Sequence, residues 1–122
     1  MLSLNSVMIC SEDPGGLSAF YTKVLGEPAW QDGTYVGWQA GNGMLMIRPH
    51  SEVKGPNEMP GRIMLNFETP EFDGEFERIK GLGTSVVQEP YRPGEEPGDF
   101  WLATFEDPDG NYFQLASPMS PQ

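Results

Sequence analysis

Hydrophobic residues along this chain recur with two periods, alternate positions in some stretches and every third or fourth in others. The switches between the two mark out the elements. Leu4, Val7 and Ile9 dominate an extended stretch, residues 3–10, which predicts a first strand. Asp13-Pro14-Gly15-Gly16 breaks that run and is placed to start a helix. Leu17, Phe20, Tyr21, Val24 and Leu25 then recur at helical spacing, Gly26 stops the run and Pro28 forbids its continuation. Three short strands follow, around Trp30, over residues 34–40 and over residues 44–48, with turns at Gly33 and Gly41-Asn42-Gly43.

Residues 50–61 are polar and rich in Pro and Gly, the pattern of a linker. After them the order restarts. Residues 62–68 alternate, with Ile63, Leu65 and Phe67 on one face, and Thr69-Pro70 opens a second helix. Its apolar stripe is Phe72, Phe76, Ile79 and Leu82, closed by Gly81 and Gly83. Strands are expected at 84–89, 100–106 and 111–117, separated by a Pro-rich loop over 90–99 and by Asp107-Pro108-Asp109-Gly110. That tetrapeptide suits a type I turn with glycine in the positive-φ position, which makes a hairpin of the last two strands. The helix ends are also alike, FYTKVLG from Phe20 and FERIKGLG from Phe76, a weak repeat with a period of about 57 residues. The expected fold class is therefore α+β. Two βαβββ modules form a curved mixed sheet around a central pocket.

Composition narrows the class. At 122 residues the chain is expected to be one domain, residues 1–122, with half-units of 1–50 and 61–119. The net charge is −11, from 18 acidic against 7 basic residues, which argues against nucleic acid bound on a broad basic surface. No apolar run approaches the roughly 20 residues of a membrane helix, and the N-terminus lacks the basic-then-apolar pattern of a signal peptide. Cys10 is the only cysteine, which excludes an intrachain disulfide and a multi-cysteine zinc site, and a cytoplasmic setting is the simplest expectation.

Strand parity gives candidate ligand-facing positions, because alternate side chains face opposite sides. If Phe113 and Leu115 pack on a helix, then Tyr112, Gln114 and Ala116 face the pocket. The same logic selects Ser6, Met8 and Cys10 in the first strand, Met44, Met46 and Arg48 in the fourth, and Arg62, Met64 and Asn66 in the fifth. Trp38 and Trp101 join the pocket candidates, with Trp30, Tyr35 and Phe100 on strands or beside loops at its mouth, since aromatic and methionine surfaces bind planar organic ligands well. Arg48 and Arg62 on an inward face each need a partner, either an internal carboxylate such as Glu68 or an anionic group of a ligand. Net acidity favours a cationic ligand instead, so the two cues point opposite ways. Cys10 has no neighbouring histidine to activate it, and His50, the only histidine, sits in the linker as a surface residue does.

Two segments carry a resemblance. The helix end Phe20-Tyr21-Thr22-Lys23-Val24-Leu25-Gly26, and Asp107-Pro108-Asp109-Gly110-Asn111 followed by Leu115, resemble the vicinal oxygen chelate superfamily, which includes glyoxalase I, bleomycin-resistance proteins and extradiol dioxygenases. The resemblance spans nearly the whole chain and implies a homodimer. In metal-dependent members a divalent ion is held by His and Glu or Gln from the first and fourth strands of each module. Here those positions fall on Ser6 (or Asn5, if the register slips), on Met46 or Arg48, on Arg62 and on Gln114. Gln114 alone is a comfortable donor, and the arginines bring positive charge where the ion's would lie, so no metal cofactor is expected. The resulting expectation is a metal-free protein that binds a small organic molecule, with sequestration of a toxin or antibiotic as one form. The alternatives are a metal-dependent lyase, isomerase or dioxygenase, and a non-catalytic dimeric regulatory module.

Overall fold

A computed structural model describes residues 1–94 and 100–118, and the chain divides into two compact units, Met1–Pro56 and Asn57–Gln122. In the first, the elements are β1 (Ser6–Ser11), α1 (Pro14–Leu25), β2 (Trp30–Asp32), β3 (Tyr35–Ala40) and β4 (Gly43–Pro49). The Asp13 side chain caps α1 by accepting from the Gly16 N–H, Pro14 occupies the first turn, and Gly26 ends the helix at φ 97°. Both hairpins close on two residues, Gly33-Thr34 and Gly41-Asn42. The glycine takes positive φ, 63° and 61°, while the second residue does not, as type II′ turns require. The sheet order is β1-β4-β3-β2, with β1 and β4 parallel and the other pairs antiparallel.

The second unit repeats this order with β5 (Leu65–Glu68), α2 (Phe72–Gly81), β6 (Ser85–Tyr91), β7 (Leu102–Glu106) and β8 (Tyr112–Ala116). Its sheet runs β5-β8-β7-β6, with β5 and β8 parallel. The chain is thus an α+β fold of two βαβββ modules, each a four-stranded mixed sheet with one helix. Asp107 holds the turn of the β7–β8 hairpin. Its buried carboxylate accepts from the Asp109 and Asn111 backbone N–H groups and from Asn111 Nδ2. Asn57 fastens the start of the unit to that turn, its N–H donating to the Asp109 carbonyl and its Nδ2 to Asn111 Oδ1.

One face of each sheet is filled. In the first unit Leu17, Tyr21 and Val24 of α1 are buried together with Val36, Trp38, Leu45 and Ile47. Trp38 packs edge-on against Tyr21, and its indole N–H donates to the Gly26 carbonyl at 2.9 Å, tying β3 to the end of α1. In the second unit Phe76, Phe105 and Phe113 stack at 5.3 and 5.4 Å between centroids, with Phe67 edge-on to Phe113.

The structure corrects several boundaries. β5 begins at Leu65, because the Arg62 N–H donates to the Met59 carbonyl in a turn. Ile63 is 75% exposed and shares no face with Leu65 and Phe67. Leu82 caps α2 and is exposed, so the apolar stripe ends at Ile79. β6 continues through Pro90 to Tyr91, which an edge strand with register shifts tolerates. Of the expected loop at 90–99, residues 95–99 lie outside the described residues, as does position 119, the expected end of the second half-unit. No helix among the described residues is long and apolar enough to cross a membrane.

Candidate functional site

The side chains that α1 does not cover form rows across the first sheet, and the registers fix them. The parallel pairing sets Ser6 beside Met44, Met8 beside Met46 and Cys10 beside Arg48. The antiparallel β3–β4 pairing adds Gln39 to the first row and Gly37 to the second, and the β2–β3 pairing adds Trp30 beside Gly37. Tyr35 belongs to the third row, and the β2–β3 pairing ends that row on the exposed Asp32. The Arg48 guanidinium lies over its ring, Cζ 4.9 Å from the centroid, while Nε donates to the Pro49 carbonyl at 3.1 Å. Met8, Trp30 and Tyr35 are exposed, and Met44, Met46 and Arg48 are half-buried. The strand parity expected for Ser6, Met8, Cys10, Met44, Met46 and Arg48 is therefore observed.

Gly37, which sequence reasoning does not single out, organises this face. A Cβ placed there would lie 2.8 Å from Trp30 Nε1, 3.0 Å from Trp30 Cε2 and 3.3 Å from Met44 Cε. The Trp30 indole therefore rests on the bare backbone of β3, with the Met44 methyl group close by. A glycine inside a strand marks such close approach, and that is the signal the sequence offers.

The rows of the second sheet on the side away from α2 are different in kind. Asn66, Gln114, Thr104 and Gln88 align across it, and Gln114 Nε2 donates to Thr104 Oγ1 at 3.1 Å. The neighbouring rows hold Tyr112 beside Glu106 and Glu68 beside Ala116. Gln114 and Tyr112 stand where parity places them, both half-buried.

Four of the expected pocket residues stand elsewhere. Trp38 is on the helix side, 1% exposed, because β3 alternates Val36 and Trp38 inward against Tyr35, Gly37 and Gln39. Trp101 precedes β7 and lines a cleft of about 570 Å³ at the start of α2, with Phe72, Pro90 and Ser117. The Arg92 guanidinium lies over its ring, 5.4 Å from the centroid. Arg62 and Met64 precede β5, and Arg62 Nη2 donates to the Met59 sulfur at 3.4 Å.

For metal chemistry, the positions implied by the resemblance carry a hydroxyl (Ser6), a thioether or guanidinium (Met46, Arg48), a guanidinium (Arg62) and an amide (Gln114). Arg48 is committed to Tyr35, and Gln114 turns its NH₂ toward Thr104. No group of three or more His, Cys, Asp or Glu that would hold a metal occurs among the described residues.

Comparison with known proteins agrees with this architecture. A crystal structure of lactoylglutathione lyase from Agrobacterium tumefaciens superposes with a TM-score of 0.71 at 21% identity, covering 94% of this chain and 92% of that one. A glyoxalase/bleomycin resistance protein/dioxygenase family enzyme from Burkholderia phytofirmans PsJN gives 0.73 at 22% identity, covering 95% and 98%. A structure described as a conserved domain protein gives 0.80 at 18% identity, covering 98% and 100%. At these identities the likeness is one of fold. No curated protein sequence matches the chain. The model of the Glyoxalase-like domain matches residues 6–116, nearly the full length. The chain belongs to the glyoxalase-like domain family, within the vicinal oxygen chelate superfamily to which its FYTKVLG and DPDGN segments point.

Proposed function

We propose that this chain binds a small organic molecule on the uncovered face of its first sheet, without a resident metal ion. The observation that carries the reading is the set of rows itself. Three thioethers, Met8, Met44 and Met46, share with the Trp30 indole and the Arg48–Tyr35 pair a face the unit's own helix leaves open, Met8 and Met46 in the row of Trp30 and Met44 in the row beyond it. Thioethers are polarizable and conformationally adaptable, and they make favourable contacts with aromatic rings. An organic ring is the natural occupant, and sequestration rather than turnover fits a face with no paired acid and base.

The donor chemistry supports the metal-free part. Divalent ions take imidazole, carboxylate or thiolate donors, whereas Ser6 offers a hydroxyl, Met46 a thioether and Gln114 an amide, and the Arg48 guanidinium repels a cation. The chain is further proposed to form a homodimer, as the family resemblance implies.

The test is metal analysis of the purified protein, followed by thermal shift with planar aromatic probes in the presence and absence of chelator. Substoichiometric metal and a ligand-induced shift indifferent to chelator are expected. A stoichiometric divalent ion whose removal abolishes the shift overturns the proposal.

A further inference from the structure

We infer that the ligand of this face is a planar organic anion, an aromatic carboxylate, with Arg48 as its anchor. The inference rests on the reading above and adds the ligand's chemistry.

Arg48 is the observation. The protein carries 18 acidic residues against 7 basic ones, so a guanidinium on a half-buried sheet face has abundant carboxylates from which to draw a partner. It has drawn none. The ion pairs Arg78–Glu75 and Lys80–Glu89 leave it out, and neither Glu68, the internal carboxylate expected from the sequence, nor Asp32, which follows Tyr35 in the Arg48 row, stands in either pair; both carboxylates are exposed. Arg48 uses Nε on the Pro49 carbonyl, and its guanidinium lies over the Tyr35 ring. Its Nη groups meet no protein acceptor among the described residues. Held over the ring and tethered in this way the guanidinium has already lost much of its rotamer freedom, so a carboxylate that binds it need not supply that ordering.

The surroundings define the rest of the molecule. One row away along β4, about 6.7 Å for two residues of strand, lie Met46, Met8 and the bare Gly37 backbone with Trp30 on it. That offset matches a carboxylate carried by a fused two-ring system, with the rings on the sulfur row and the carboxylate on Arg48. The fork of one guanidinium matches one carboxylate in a bidentate pair. A phosphate dianion would be left half-neutralised on a protein of net charge −11, and an ammonium group would meet Arg48 head-on. Global acidity and the local cation therefore act at different ranges. The first keeps out multiply charged anions, and the second selects a monoanion at contact.

The experiment compares 2-naphthoate with the uncharged 2-naphthamide on the intact chain. Calorimetry gives the affinities, and methionine-methyl NMR reports Met8, Met44 and Met46. The acid is expected to bind about ten- to a hundredfold tighter than the amide, the range of a hydrogen bond to a charged group. Arg48→Met should bring the two to equal affinity, and Arg62→Gln should leave the preference unchanged. Arg48→Lys keeps the charge without the fork and should lose part of the preference, which serves if the Met variant unfolds. An amide that binds as well as the acid, or a preference that survives in Arg48→Met or is undiminished in Arg48→Lys, overturns the anion assignment while leaving the face as the ligand site. If neither probe moves the three methionine signals, the face itself is wrong, and the anion assignment falls with it.

Discussion

The two sheets share a strand order, a parallel first pair and a helix on one side, yet their uncovered faces carry unlike chemistry. On the first, the rows carry Met8, Met44, Met46, Trp30 and Tyr35 with a single guanidinium, Arg48. On the second, Asn66, Gln114, Thr104 and Gln88 make a row of amides and a hydroxyl. The helix-covered faces diverge far less, since both are filled by large apolar side chains. What the repeat preserves is the packed side, where volume and rotamer must match a helix. The open side is released from that constraint and is where the halves have become different.

Substitutions in the covered faces give the largest expected effect and test the likeness of the two cores. Trp38→Ala and Phe105→Ala remove rings exposed 1% and 0%, and each should cost about 3–5 kcal/mol in denaturant unfolding. A cost below about 1 kcal/mol in only one of them would break the parallel. The turns come next. Asp107→Ala strips three donors of their acceptor and should cost about 1–3 kcal/mol, whereas Gly41→Ala, at φ 61°, should cost about 1–2 kcal/mol through backbone strain alone. Equal tolerance of both would mean that the hairpins are held by something other than these groups.

Smaller effects separate the open faces. Gly37→Ala forces Trp30 off β3 and should destabilise by about 1–3 kcal/mol, shift tryptophan fluorescence and weaken binding of aromatic probes. Gly43→Ala, with nothing within 4 Å of the new methyl group, should change stability by no more than about 0.5 kcal/mol. Thr104→Val removes the acceptor of Gln114 at nearly constant volume and should cost about 1 kcal/mol in unfolding while leaving probe affinity as it was. A loss of affinity in Thr104→Val as large as in Gly37→Ala would move the site to the second sheet.

Much of the molecule is legible in the sequence, for local reasons. Turn chemistry at Gly33, Gly41 and Asp107–Gly110 sets the hairpins, and the hairpins set the registers. Alternation in residues 44–48 then places Met44, Met46 and Arg48 on one face. Trp38 is misassigned when residue type, aromatic and strand-borne, outweighs its own parity, although Gly37 and Gln39 beside it already point away from the core. Alternation also runs through Arg62 and Met64 and suggests a strand there, but a backbone bond from Arg62 to Met59 holds the chain in a turn, and β5 begins only at Leu65. The Arg48–Tyr35 contact and the seat of Trp30 on Gly37 lie across those same hairpins, but they depend on side-chain rotamers as well as register, and alternation alone does not give rotamers.

The most direct test of where the ligand sits is an NMR titration of the metal-stripped chain with 2-naphthoate, reading methionine methyl and side-chain amide signals together. The proposed site on the first sheet predicts saturable shifts at Met8, Met44 and Met46, with Asn66, Gln88 and Gln114 unmoved. Shifts at those amides with the methionines silent would contradict it.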